Sequence, residues 1–260
     1  MRRFFVAVTF LTRIPVARTL EIGAADVGRS AACFPLVGAG LGAIQALALW
    51  GSLHLAAHAS QALARSVVLP APVLSVLITA IGVCITRGLH LDGLADMADG
   101  FGGGRTAEDI LRIMRDHAIG SFGAIAVIIV LALKITSIAV LVERGDALRF
   151  LVFAPALARG SIAILGFFLP YARPVEGGLG SSLQHIGRLE VAVSSIIALA
   201  ALILVGWRRA AICLVVVLIA SAVNARICMS RIRGITGDTL GANVEVCEAL
   251  ILAAGSILSS

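Results

Sequence analysis

The sequence predicts an all-α, polytopic integral membrane helical bundle, and three observations carry the prediction. Apolar residues make up 59% of the chain and charged residues only 14%, with a mean hydropathy of +1.02, well beyond the averages of soluble globular proteins. Several stretches reach the roughly 20 apolar residues that a helix needs to cross a ~30 Å hydrocarbon core. Most Arg, Asp, Glu and Gly residues gather between those stretches.

Seven spans follow, in one transmembrane catalytic domain over 1–260. The first, 31–53, ends before His54, and the second, 67–86, ends at Arg87. The third, 119–142, carries Lys134, and the fourth, 150–169, carries Arg159. Between the fifth, 190–206, and the sixth, 210–225, stand only Trp207, Arg208 and Arg209, as a tight turn or as the middle of a longer bent pair. The seventh, 244–258, contains Glu245 and Glu248. The count stays open between six and eight crossings.

Lys and Arg favour the cytoplasmic side of a membrane. Placing the N-terminus inside puts Arg2, Arg3, Arg13, Arg18, Arg29, Arg87, Arg105, Arg112, Arg115, Arg173, Arg188, Arg226, Arg231 and Arg233 there, against Arg65, Arg144, Arg149, Arg208 and Arg209 outside. Segments 87–118, 170–189 and 226–243 then share the cytoplasmic face and assemble one site from three loops. The net charge of +6 is accounted for by anionic headgroups and this bias, with no nucleic-acid partner required. The first 30 residues lack the pattern of a cleaved signal peptide. The bundle leaves room for a homo-oligomer.

Cys33, Cys84, Cys213, Cys228 and Cys247 lie in or beside apolar spans without C-x-x-C spacing, so they read as small buried hydrophobes rather than disulfides or a zinc site. His54 and His58 have metal-pair spacing but lack the Glu of H-E-x-x-H, and read as an interfacial helix end.

The segment from Arg87 to Gly123, RGLHLDGLADMADGFGGGRTAEDILRIMRDHAIGSFG, is far too acidic and glycine-rich for an ordinary connection. If the second span continues as a helix through it, Asp92, Asp96 and Asp99 fall at i, i+4 and i+7 on one face, over ~10 Å of axis. Carboxylates that close repel unless a cation neutralises them, and hard oxygen ligands suit Mg²⁺ or Mn²⁺. Gly100, Gly102, Gly103 and Gly104 are expected to let backbone N–H groups approach a phosphate. Arg105, Arg112 and Arg115 supply matching positive charge.

Two further places stand out by their cost. Lys134 and Arg159 interrupt apolar spans, and an intramembrane cation costs at least ~2.5 kcal/mol unless it snorkels or pairs. Both are expected to face the protein interior, with substrate contact open for Arg159 and a structural pairing open for Lys134. Glu248, inside the last span, calls for a partner, Arg159 or a substrate amide. The basic segment Arg226, Arg231 and Arg233 reads as an inner-leaflet anchor before the capped start of the last helix.

These motifs together resemble the cobalamin synthase family, the adenosylcobinamide-GDP ribazoletransferases. The resemblance rests on LHLDGLADMADG, the I-M-R-D of Ile113 to Asp116, the Gly120-x-x-Gly123 pair and TGDTLGA from Thr236 to Ala242. It extends to FLTRIPV from Phe10 to Val16, FPLVG from Phe34 to Gly38, Lys134, Ala158-Arg159, and YAR followed by GLG between Tyr171 and Gly180. It implies a Mg²⁺-dependent, multi-pass enzyme of the bacterial inner membrane. The implied reaction transfers the cobinamide phosphate of adenosylcobinamide-GDP to a ribose hydroxyl of α-ribazole or its 5′-phosphate and releases GMP. The resemblance also favours substrate binding by Asp238.

The residues fit that chemistry, because phosphoryl transfer needs positioning, charge neutralisation and proton removal. Asp92, Asp96 and Asp99 are expected to hold the metal, Arg105 and Arg115 the non-bridging oxygens, and Asp116 or one of the cluster aspartates to act as general base. The D-x-x-D-G opening of the CDP-alcohol phosphotransferases is matched by Asp96, Asp99 and Gly100, but the second half of that motif is missing. His117-Ala118 stands where the family usually has Ser-Arg. The alternatives are a phosphatidyltransferase with a CDP-linked donor, and a transporter, for which no internal repeat is visible.

Overall fold

The computed structural model of the chain describes residues 1–16, 21–63, 66, 68–116, 118–173, 180–183 and 185–259. His117, Arg18, Arg65 and the Gly178–Leu179 pair named above lie outside the described residues. Every regular element among the described residues is helical, apart from one bridge between Tyr171 and Ile235. In order these are α1 (Arg2–Leu11), α2 (Ala24–Ser30), α3 (Phe34–Ala62), α4 (Ala71–Thr86), α5 (Leu89–Gly103) and α6 (Ala107–Ile113). There follow α7 (Ser121–Glu143), α8 (Ala147–Phe168), α9 (Gly180–Leu183), α10 (Arg188–Ala200), α11 (Trp207–Ile232) and α12 (Gly237–Leu258).

The expected all-α membrane bundle is therefore what the chain forms, and it is a multi-pass protein. Five helices are long and apolar enough to cross a membrane: Ala24–Ala62, which joins α2 and α3 through a 3₁₀ turn, then α7, α8, α11 and α12. A sixth arises if α4 and α5, bent by 88° at their junction, count as one span. The expected fifth span is α10 continued by the 3₁₀ turn Ala201–Leu204, and it falls short of full spanning length.

Hydrogen bonds and ion pairs sort the helix ends into two sets. At one end Arg13 N–H donates to the Ile85 carbonyl at 2.7 Å, Arg3 pairs with Glu190 at 3.1 Å, and Tyr171 bridges Ile235. At the other, Arg209 pairs with Asp146 at 2.7 Å and Arg144 donates to the Ser256 carbonyl at 3.0 Å. The described residues of 87–120, 169–190 and 232–238 thus share one end, the three-loop arrangement expected from the charges.

Two boundaries differ from expectation. The second span does not run straight into the aspartates: Arg87 (φ 56°) and Gly88 (φ 67°) are both left-handed, so α4 ends there and α5 leaves nearly at right angles. Trp207, Arg208 and Arg209 are not the turn between the late helices but the first turn of α11; the turn is made at Gly206, whose φ of 81° suits only glycine without strain.

Helices α8 and α12 form the centre, while α7 and α11 turn Ile125, Ile128 and Ile129, and Val215, Leu218 and Ile219, outward to lipid. Apolar burial drives little association within a lipid bilayer, so close backbone approach at small residues matters more. The α3–α8 crossing shows this: a Cβ on Gly38 or Gly42 would collide with the carbonyls of Pro155 and Leu151. The α5–α12 crossing repeats it. A Cβ on Gly93 would lie 2.7 Å from the Asp238 carbonyl oxygen, and one on Gly241 3.2 Å from the His90 Cα. That second crossing brings the acidic helix against the start of α12.

Candidate active site

The Asp92, Asp96 and Asp99 side chains rise along α5 as their spacing requires, but they do different things. Asp92 is exposed in the first turn, and Asp96, one turn on, is half-buried. Asp99 is buried, and its two carboxylate oxygens accept the backbone N–H groups of Gly120 at 2.7 Å and Gly123 at 2.8 Å. It caps the first turn of α7 from another helix. The Gly120-x-x-Gly123 pattern has its reason here, since a Cβ at either position would collide with the Asp99 carboxylate.

Asp99 is thus already taken up by two backbone donors. Asp238 from α12 joins the aspartates of α5: Asp96 lies among the charges of Asp92, Asp238, Arg173 and Asp99, and Asp92 and Asp238 line the same cavity. Thr236 fixes Asp238. Its hydroxyl accepts the Thr239 N–H at 3.2 Å as the helix cap and donates to the Asp238 carboxylate at 3.3 Å. Arg173 Nη2 donates to the same carboxylate at 2.9 Å and reaches the Met114 carbonyl at 3.5 Å, joining the loop after α6 to α12. Sequence reasoning counted Arg173 only as an inner-face charge, although it stands in the YAR motif that carried the resemblance.

The glycine run is not an open phosphate loop. Gly100, Gly102 and Gly103 lie within α5, and Gly104 N–H donates back to the Gly100 carbonyl at 2.9 Å. Their absent side chains make room for neighbours: a Cβ on Gly100 would lie 2.5 Å from Met114 Cγ, and one on Gly102 2.5 Å from the Phe122 ring. Arg231 closes the helix by donating to the Phe101 and Gly104 carbonyls at 3.1 and 3.0 Å.

Arg105 and Arg115 are exposed, with neither guanidinium paired among the described residues. Asp116 is also exposed, and its carboxylate accepts the Ala118 N–H at 3.1 Å, an Asx-type turn.

Arg159 and Glu248 are brought together, inside the bundle. Arg159 Nη1 pairs with Glu248 at 3.1 Å and donates to the Pro155 carbonyl at 3.2 Å. Lys134 pairs with Glu248 at 2.8 Å and with Glu245 at 3.0 Å. The two cations and two anions balance, as charges away from water must. His90 joins this network to the site, its Nδ1 lying 3.4 Å from Arg159 Nη2. Because guanidinium has no acceptor, Nδ1 accepts and the ring is a neutral donor through Nε2. His90 and Glu245 were not singled out as functional from the sequence; the i, i+3 spacing of Glu245 and Glu248 was the available signal.

Among the described residues no three His, Cys, Asp or Glu side chains form a ready metal cage. Asp92, Asp96 and Asp238 nonetheless offer hard oxygen donors around a single cation, Arg173, and Mg²⁺ commonly takes only one or two carboxylates plus substrate phosphates. The donor set fits that mode of binding.

The model of the cobalamin-5-phosphate synthase family matches residues 3–256. The chain belongs to that family. Among relatives of the chain, the adenosylcobinamide-GDP ribazoletransferase of Ralstonia nicotianae is 38% identical, covering 96% of this chain and 93% of its own length. Enzymes of the same name from Syntrophobacter fumaroxidans and Prosthecochloris aestuarii are 36% and 35% identical, covering 98% and 96% of this chain and 98% and 97% of their own. No solved structure matches the chain.

Proposed function

We propose that this chain is an adenosylcobinamide-GDP ribazoletransferase, which passes the cobinamide phosphate of adenosylcobinamide-GDP to a ribose hydroxyl of α-ribazole or its 5′-phosphate and releases GMP. The observation that carries it is the meeting of Asp92 and Asp96 on α5 with Asp238 on α12, beside Arg173 and at the edge of an apolar cavity. This is a negative patch with one built-in cation, ready for a divalent metal and a diphosphate together.

Asp92, Asp96 and Asp238 would hold Mg²⁺, with Mn²⁺ able to replace it. The bound metal would polarise the diphosphate and stabilise the leaving GMP. Arg173 steadies Asp238 and presents positive charge to the transferring phosphate, and the exposed guanidinium groups of Arg105 and Arg115 supply further phosphate contacts. Asp96 or Asp116 takes the proton of the attacking hydroxyl. Asp99 acts at one remove, by fixing α7 against α5. Arg159 and Glu248 likewise act through His90 rather than on the phosphates.

We place the enzyme in the bacterial inner membrane with this end cytoplasmic. The arginine bias supports that side, and so does a nucleotide-linked substrate.

The deciding assay uses purified protein in detergent with adenosylcobinamide-GDP, α-ribazole and Mg²⁺, and measures GMP release. Turnover of CDP-diacylglycerol in place of that pair would overturn the assignment.

A further inference from the structure

Beside the carboxylates lies a cavity of about 140 Å³ between α1, α2, α5, α8, α12 and the residues Ser182, Leu183 and Ile186. Its walls are apolar: Phe10, Phe34, Leu89, Ile162, Leu183 and Leu240. Phe10 and Phe34 stack at 5.8 Å between centroids with 21° between planes, and α12 presents Gly237 and Gly241 to the same space. Four polar residues also line it, His90, Asp92, Ser182 and Asp238. Small-molecule sites have this composition, an apolar hollow with a few placed polar groups. Cavities near 150 Å³ lined by Leu, Ile and Phe accept a benzene ring.

The cavity is larger than buried packing needs, and nothing in the phosphate chemistry uses it. A corrinoid macrocycle is far too large to enter. A guanine base would call on carboxylates for its N1–H and N2–H edge, and Asp92 and Asp238, the two carboxylates at this cavity, are committed to the metal proposed above. A flat fused-ring base with an apolar rim and a single ring-nitrogen acceptor matches what is there, with neutral His90 as the donor. Such a base would leave its ribose at the Asp92 and Asp238 edge, where the attacking hydroxyl is needed.

We infer that this cavity seats the heterocyclic base of the acceptor nucleoside, between the Phe10–Phe34 pair and the α5–α12 crossing. The assignment rests on the transferase activity proposed above. The other large hollow, about 530 Å³ between α5, α11 and α12, is a poorer seat. None of the site carboxylates lines it, and the Arg231 at its margin is already bonded to the Phe101 and Gly104 carbonyls.

The test is steady-state kinetics on the full chain in detergent, with donor and acceptor varied separately. Filling the cavity by Ile162→Phe or Leu183→Trp is expected to raise KM for α-ribazole about tenfold or more, the scale on which pockets discriminate by size. KM for adenosylcobinamide-GDP should hold. On the unaltered protein, free benzimidazole should inhibit competitively against α-ribazole and not against the donor, which keeps the assignment testable if the variants fold poorly.

A rise in donor KM, or unchanged acceptor KM in folded variants, would overturn the seat while leaving the transferase activity standing. So would inhibition by benzimidazole that does not compete with α-ribazole. Absence of GMP release from the unaltered protein would instead remove the activity, and the seat with it.

Discussion

The Asp99 carboxylate accepts the Gly120 N–H at 2.7 Å, across 21 residues of chain, and the Gly123 N–H through its other oxygen. Two aspartates three residues apart on α5 thus have separable roles. Asp99→Ala leaves two N–H groups of α7 without their charged partner and should cost about 1–3 kcal/mol of stability. Asp96→Asn should leave the thermal midpoint in detergent nearly unchanged and abolish GMP release. Equal loss of stability in both variants would show that the separation is wrong.

Inside the bundle, Glu248 faces two cations, at 2.8 Å from Lys134 and 3.1 Å from Arg159. Glu248→Gln leaves a surplus positive charge away from water, and breaking such a buried pair from one side costs about 3–5 kcal/mol. The double change Lys134→Met with Glu245→Gln removes one charge of each sign and should unfold at a higher temperature than Glu248→Gln. Thermal unfolding in detergent decides it, and a double variant no more stable than Glu248→Gln would refute the charge-balance account.

At the far end of the bundle, burial pushes the Asp146 carboxyl up, but the Ser259 hydroxyl and the Arg209 guanidinium outweigh it and hold Asp146 below the usual carboxylate range. A folded-state value lower than the unfolded one gives stability that is present above the unfolded value and lost as pH falls through the folded one. Asp146→Asn should therefore lower the thermal midpoint near neutral pH, with the gap closing once the solution passes below the ordinary aspartate value of about 3.9. A gap of the same size on both sides would exclude ionisation as its source.

The bundle was legible because run length and hydropathy are local properties, and a spanning helix meets its backbone needs within itself. Lys134, Arg159 and Glu248 were legible as a problem, since a charge in an apolar run demands a partner. Their mutual solution reaches across the chain, 111 residues from Lys134 to Glu245, and has no local signature. The capping bonds of Asp99 were not legible for a related reason: its partners are backbone N–H groups, which every residue type except proline carries. The glycines at 100–104 suggested a phosphate loop, whereas they admit Met114, Ile110 and Phe122. Gly93 and Gly241 went unremarked although they bring Asp238 to the site. A glycine alone does not say what approaches it.

Arg173 gives the sharpest test of the site itself. Its Nη2 holds Asp238 at 2.9 Å, while its buried Nε has no partner among the described residues. Lysine keeps the charge but loses the planar fork, so Arg173→Lys should raise KM for adenosylcobinamide-GDP by about tenfold, one lost charged contact's worth. Arg173→Ala should do more to the donor and also lower the Mg²⁺ concentration needed for half-maximal rate, because Asp238 is then left unmasked for the metal. A merely structural arginine would lower the thermal midpoint and reduce kcat without moving the Mg²⁺ dependence. That pattern would take Asp238 out of the proposed metal-binding set and leave Asp92 and Asp96 as its members.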